Sequence, residues 1–137
     1  MVRLKVISEN PADNIKKYVP SIEYEIVIDN KQEVVGRCVL RIGHNDNTYW
    51  GGNIGYYIYE KFRGHGYAYE ACLLLFEIAK VKGLSEIYIT CNPENIASKR
   101  TCEKLPMGVL LGNFEIPIEN EMRAKGEYRK CIFKYTL

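Results

Sequence analysis

Apolar and polar residues alternate through the first third of the chain, which is the pattern of half-buried strands. Val2 to Ile7 alternates well enough to form a first strand, and Asn10-Pro11-Ala12-Asp13 ends it. Asn14 to Tyr18 reads as a helical turn ahead of Pro20. Ile22, Tyr24, Ile26 and Ile28 then share one face of a second strand, with Glu23, Glu25 and Val27 on the other. Asp29-Asn30-Lys31 is a tight link, because Asx side chains tolerate turn geometry. The third strand, Val34 to Ile42, is therefore expected to return antiparallel. Its inner face would be Val34, Gly36, Cys38, Leu40 and Ile42, and its outer face would carry Arg37 and Arg41. Gly43 to Thr48 is polar and turn-rich, and Gly51-Gly52 loosens the start of a fourth strand. That strand sets Ile54, Tyr56 and Ile58 against Asn53, Gly55, Tyr57 and Tyr59.

The period then changes. Ala68, Ala71, Cys72, Leu75 and Ala79 recur at helical spacing, which predicts a helix from Gly66 to Lys82. Leu74, Ile78 and Val81 form a second apolar row, so the helix is expected to be covered on much of its circumference. Gly83 suits its C-terminal cap. Leu84 to Cys91 returns to alternation, and a strand–helix–strand unit predicts parallel strands with a right-handed crossover. Asn92 as cap and Pro93 in the first turn open a second helix, which stops near Leu105 at Pro106. Val109 to Ile116 and Arg129 to Leu137 read as final strands around a charged loop from Glu119 to Glu127.

At 137 residues, 47% hydrophobic and 26% charged, the chain fits one globular domain, residues 1–137, and excludes extended disorder. A net charge of +2, with no run of Lys or Arg longer than two, argues against nucleic acid or an anionic membrane as a partner. Arg3, Lys5 and Glu9 interrupt any signal peptide, and no apolar run approaches a membrane span. The five cysteines never form Cys-x-x-Cys and the two histidines lie far apart, so no metal site is expected. Reduced thiols in a cytoplasmic protein are the consistent reading.

The chemistry concentrates where the fourth strand meets the first helix, at Phe62-Arg63-Gly64-His65-Gly66-Tyr67-Ala68. A helix start leaves backbone N–H groups unpartnered and carries a partial positive charge. Gly64 and Gly66 allow successive amides to converge on a phosphate or pyrophosphate. The alternative is a strand-to-helix turn that needs glycine only for its bend. Neither common nucleotide fingerprint fits: no Gly-Lys-Ser/Thr closes the loop, and Tyr69 stands where a dinucleotide loop needs a third glycine or alanine.

Arg63, Gly66 and Ala68 fill the pattern Arg-x-x-Gly-x-Gly/Ala, which resembles the acetyl-CoA pyrophosphate loop of the GNAT acyltransferase superfamily. A second motif follows in the right place: Asn95, Ser98, Cys102 and Glu103-Lys104-Leu105 resemble the family's Asn-x-x-Ala/Ser-x-x-x-Tyr-Glu-Lys-Leu-Gly. The run Asn92 to Ser98 is most similar to the branch containing ribosomal-protein-type N-terminal acetyltransferases. The likeness is good from about Val34 to Leu105 and rests on element order at the ends.

This resemblance implies an α/β (α+β) fold, with a central mixed twisted sheet of about seven strands, helices on both faces and a shortened N-terminal helical segment. It implies an N-acetyltransferase that moves an acetyl group from acetyl-CoA to a primary amine by direct transfer. Backbone amides from Arg63 through Gly64, His65, Gly66 and Tyr67 to Ala68 would hold the pyrophosphate. The backbone of Tyr57, Ile58 and Tyr59 would pair with the pantetheine arm, with an amide near Ile58 facing the acyl oxygen. Asn95 and Ser98 would contact the cosubstrate from the second helix, and a strand ending at Cys91 would splay away.

Three departures qualify it. Cys102 stands where the family often has a tyrosine acid; its thiol, with a pKa of about 8.5 against about 10 for a phenol, could protonate the leaving thiolate or could simply pack. Pro106 replaces the usual glycine, and only Glu9 to Pro20 is available where relatives place helices that wall the acceptor. The base stays unassigned, with Glu23, Glu25 and water relayed by Tyr57 or Tyr59 all open. Tyr49, Trp50, Tyr56, Tyr57 and Tyr59 suggest an open, aromatic-lined entrance suited to a peptide α-amine. A non-catalytic CoA-binding module, acylation through Cys102, and a homodimer remain open.

Overall fold

The computed structural model describes residues 1–137. Strands β1 (Val2–Asn10), β2 (Ser21–Ile28), β3 (Glu33–Arg41) and β4 (Ile54–Ile58) pair antiparallel in chain order. The hairpin expected across Asp29 to Lys31 forms, with Ile22 opposite Leu40 and Tyr24 opposite Cys38. A register shift between Ile26 and Val27 sets Ile26 opposite Gly36 and Val27 opposite Val34. This bulge turns Val35 inward to full burial and moves Val34 to the margin, one place off the alternation that the sequence suggests.

Asn14 to Tyr18 forms no helix. Asp13 and Tyr18 exchange backbone hydrogen bonds of 3.0 and 2.9 Å, and Asp13 Oδ1 accepts from the amides of Ile15 and Lys16. An Asx side chain closes this loop locally, so a helical turn has nothing left to satisfy. Conversely, a short helix α1 (Asp46–Gly51) sits where turn-rich composition hid it. Asn45 Oδ1 accepts from Thr48 N at 3.0 Å while Thr48 Oγ1 accepts from Asn45 N at 2.9 Å, a reciprocal cap.

Helix α2 (Tyr67–Val81) buries Ala71, Cys72, Leu75, Phe76 and Ala79 in a single stripe. The second row divides: Ile78 packs at the margin of the core, while Leu74 and Val81 face solvent, so α2 is covered mainly on one face. The chain continues through β5 (Glu86–Cys91), α3 (Ile96–Lys104), β6 (Gly108–Glu115), α4 (Glu121–Ala124) and β7 (Arg129–Thr136). The last three strands form a second antiparallel sheet, ordered β5-β7-β6. Its outer strand β6 exposes Val109, Leu110 and Leu111.

The seven strands and the α+β architecture are as expected, but the sheet is divided in two. Instead of a parallel ladder, β4 and β5 share one backbone hydrogen bond, from Asn53 N to Tyr88 O at 2.7 Å. Asn53 is fully buried and holds that vertex with both ends of its amide. Nδ2 donates to the carbonyls of Arg41 and Gly43 at 3.0 and 2.8 Å, and Oδ1 accepts from Tyr88 N at 2.8 Å. Past this clamp the strands part. One core, with Tyr24, Cys38 and Ile54 from the first sheet and Ile87, Ile89 and Phe133 from the second, spans both beneath α2.

Candidate functional site

Where β4 and β5 part, a cleft of about 540 Å³ opens between the end of β4, the start of α2 and one face of α3. Gly66 caps α2 in the left-handed region (φ +78°), and Gly64 is likewise positive (φ +86°), conformations that side chains oppose. A Cβ at either glycine would meet nothing within 4 Å, so the loop presents bare backbone to solvent. Glu70 N is the first amide of α2 with a backbone acceptor, Gly66 O at 3.1 Å. Gly66 has no side chain to cap the amides ahead of it, so those of Tyr67, Ala68 and Tyr69 point out unpartnered.

The cations lining this cleft are Arg63, Arg100 and Lys104, and no carboxylate lines it. Arg63 is held in place: its Nε donates to Ile58 O at 2.9 Å and its guanidinium lies 5.2 Å from the centre of the Tyr57 ring. Arg100 and Lys104 are one turn apart on α3, so both reach the same wall. Their i, i+4 spacing, continuing Ala97, was the available sequence signal for this wall. The motif reading had placed only Asn95 and Ser98 there.

Strand β4 forms the other wall. Arg41 N donates to Asn53 O and Tyr59 N donates to Val35 O, so the odd-numbered positions turn their backbone groups toward β3. Alternation then points the amides of Tyr56 and Ile58 into the gap. The Ile58 amide thus faces the gap, whereas Tyr57 and Tyr59 turn their backbone toward β3. Tyr57 lines the cleft, but its backbone faces Arg37 in the β3–β4 ladder. Tyr59 has its N–H on Val35 O and its C=O on Phe62 N, so it has no free edge. His65 is turned aside too, with Nδ1 3.0 Å from Phe62 O and its ring stacked on Tyr67.

Asn95 and Ser98 both line the cleft, and their side chains are already engaged. Asn95 Oδ1 accepts from Ser98 N at 3.1 Å, so Asn95 rather than Asn92 caps α3. Ser98 Oγ accepts the hydroxyl of Tyr56 at 3.1 Å, a bridge from β4 to α3 across the cleft. Burial, partly offset by Ser98, raises the Tyr56 pKa, so this phenol keeps its proton. Cys102 does not line the cleft: it is 1% exposed in the core. Its neighbour Cys91, together with burial, holds its thiol well above the ordinary range, so it also keeps its proton; its place in the core, away from the cleft, is what separates it from Tyr56. Tyr49 and Trp50 lie on α1, where Tyr49 packs on Tyr88, so of the five aromatics expected at an entrance only Tyr56 and Tyr57 line the cleft.

These features assemble a site for a polyanion with an extended arm: unpartnered amides at a helix start, three cations without a counter-charge, and a strand edge with free amides. Residues 7–107 match the acetyltransferase (GNAT) domain. The chain belongs to the GNAT acetyltransferase family. This GNAT chain is 27% identical over 129 residues to the uncharacterized N-acetyltransferase YnaD of Bacillus subtilis (strain 168), covering 93% of the chain but 62% of that protein. Its fold resembles the microcin C7 self-immunity acetyltransferase MccE, solved with acetyl-CoA and AMP (TM-score 0.64, 22% identity, 85% of this chain and 61% of that one). It also resembles the ribosomal L7/L12 α-N-protein acetyltransferase RimL (TM-score 0.64, 18% identity, 85% of this chain and 69% of that one). No helix in this GNAT chain is long and apolar enough to cross a membrane.

Proposed function

We propose that this protein transfers the acetyl group of acetyl-CoA directly to a primary amine, on a peptide or a small molecule. The observation that carries this reading is the fan of unpartnered amides from Tyr67 to Tyr69 at the mouth of a cationic cleft free of carboxylates. A CoA pyrophosphate fits that environment by charge and by hydrogen-bond count. When bound, acetyl-CoA supplies a thioester carbon open to an amine nitrogen.

Each wall then has a task. Arg63, Arg100 and Lys104 hold phosphate charge, and the free edge of β4 aligns the pantetheine amides. The Ile58 amide donates to the thioester oxygen as negative charge grows there, from a strand that need not reorganise. Tyr56 offers its hydroxyl to the departing sulfur, the role that the buried Cys102 is not placed to take. The amine must arrive without its extra proton, and the cleft holds no carboxylate to remove it. Acylation through Cys102 lacks an activating histidine: His44 packs edge-on against Tyr88, and His65 is tied to Phe62.

Release of CoA thiol over a panel of peptides, amino acids, polyamines and aminoglycosides is the test. Turnover on any of these amines supports the reading. Acetyl-CoA binding without turnover supports instead a non-catalytic CoA-binding module, which the inward-facing Cys102 and the short segment before Pro20 would suit.

A further inference from the structure

On the face of the first sheet opposite α2 there is a second pocket, of about 330 Å³, between the ends of β2 and β3, α1 and the β6–β7 loop. Its floor is Arg41. This side chain is largely enclosed, with Nη1 donating to the carbonyls of Gly51 and Gly52 at 3.2 and 2.9 Å. No carboxylate comes within 4.0 Å of its nitrogens to form an ion pair. Burial pulls its pKa down, opposed by the more distant Glu23 and Tyr18. A desolvated guanidinium with part of its donor fork unused is an incomplete arrangement, and a carboxylate completes it bidentately.

The remaining charges lie on the facing wall. Glu127 is neutralised by Lys130 at 2.8 Å. Glu121 accepts the Tyr18 hydroxyl at 3.1 Å, a contact that ties the N-terminal loop to α4 across 103 residues, and neither it nor Lys125 on the same wall forms an ion pair. One wall is thus an unpaired guanidinium, and the wall facing it carries Glu121 and Lys125. Position connects the pocket to the cleft. A Cβ at Gly55 would lie 3.5 Å from Arg41 Nη2, so the guanidinium rests on β4 itself, on the opposite face of the strand from the core. Beyond the Asn53 clamp no ladder closes the gap between β4 and β5.

We propose that this pocket holds the acceptor, and that the acceptor is a small primary amine carrying its own carboxylate, with Arg41 as the carboxylate anchor. The proposal rests on the acetyltransferase reading above for its reaction, but its binding step stands separately. An amino-acid-like molecule lying across the pocket would direct its amine through the gap toward the thioester, while the cosubstrate occupies the other side.

The common L-amino acids and their carboxamides are the paired probes, with CoA thiol release giving kcat/KM for each. The acids should exceed their amides by about tenfold or more, the scale of one charge-assisted bond. Ser21 lies directly opposite Arg41 in the β2–β3 ladder, so Ser21→Asp supplies an internal carboxylate without removing the guanidinium or its carbonyl bonds. That variant should raise KM for the acids to the level of the amides, leaving kcat for the amides and affinity for CoA unchanged. Arg41→Gln should likewise raise KM for the acids, with thermal melting to check the fold.

Titration calorimetry of the same amino acids into CoA-loaded protein separates this proposal from the reaction. Binding that Ser21→Asp abolishes supports the pocket even if no amine turns over. Amides or carboxylate-free peptides turned over as well as the acids would overturn the pocket and uphold the transferase. Absence of both binding and turnover overturns the pocket as well.

Discussion

The two cavities on either side of β4 are built from different materials. The cleft between α2 and α3 is a backbone site: bare amides at Gly66 to Tyr69, a free strand edge at Tyr56 and Ile58, and cations placed around them. The pocket over Gly55 is a side-chain site, with Arg41, Tyr18 and Glu121 brought together from three distant segments. A backbone site demands a local conformation and therefore leaves a local mark, here two glycines at positive φ within three residues. A side-chain site demands only that the fold deliver the groups, and it leaves almost no mark along the chain.

The sharpest way to break the comparison is to remove what both sites share. Asn53→Ala deletes the three hydrogen bonds of a buried side-chain amide and leaves the Arg41 and Gly43 carbonyls and the Tyr88 amide without that partner at the vertex. At about 1–3 kcal/mol for each buried group left unsatisfied, a loss of about 3 kcal/mol or more in denaturant unfolding is expected, with both cavities degraded together. A variant of wild-type stability would remove Asn53 from its role as the clamp.

Next is a change confined to the cleft. Tyr56→Phe keeps the ring and loses the hydroxyl that meets Ser98. Turnover should fall by about 10²-fold, within the usual range for a lost proton-donating group, with calorimetric affinity for CoA retained. An unchanged kcat would leave the phenol as a strut between β4 and α3.

Gly66→Val tests whether the amides themselves bind. A β-branched residue at φ +78° is strained by about 1–2 kcal/mol, and its side chain would enter space now open to a ligand. CoA affinity should fall by about tenfold or more, while amino-acid binding on the other side of β4 should hold. A fall in both would mean that the two cavities are not separable. The smallest effect is reserved for Cys102→Ala: a stability loss of about 1–2 kcal/mol from the small void, with kcat and its alkaline limb unmoved. A selective collapse of kcat would return the thiol to the chemistry.

These differences explain what could be read from residues alone. The strands, α2 and the anion loop were legible, because alternation, helical spacing and glycine pairs are local. The α1 helix was concealed because its evidence is one Asn-x-x-Thr cap inside a polar stretch, Asn45 to Thr48. Cys102 looked catalytic because a motif supplies sequence position and not direction; α3 turns that position into the core and its neighbours Arg100 and Thr101 to the cleft. Division of the sheet was out of reach, since it depends on an amide at residue 53 finding backbone groups at 41, 43 and 88.

The order of strands in the second sheet has a consequence for how the molecule assembles. The meander β1 to β4 closes each pairing with the strand just before it, so it can form early, as soon as its own residues are available. The second sheet has the opposite history, because its middle strand β7 is the last element of the fold. Until β7 slots between them, β5 and β6 have no partner, and the apolar stretch Val109 to Leu111 stands on an unpaired strand. Pulse-labelling hydrogen exchange during refolding should therefore show protection of Tyr24 and Cys38 amides before those of Ile89 and Phe133. The vulnerable interval, when self-association competes with folding, is the wait for β7.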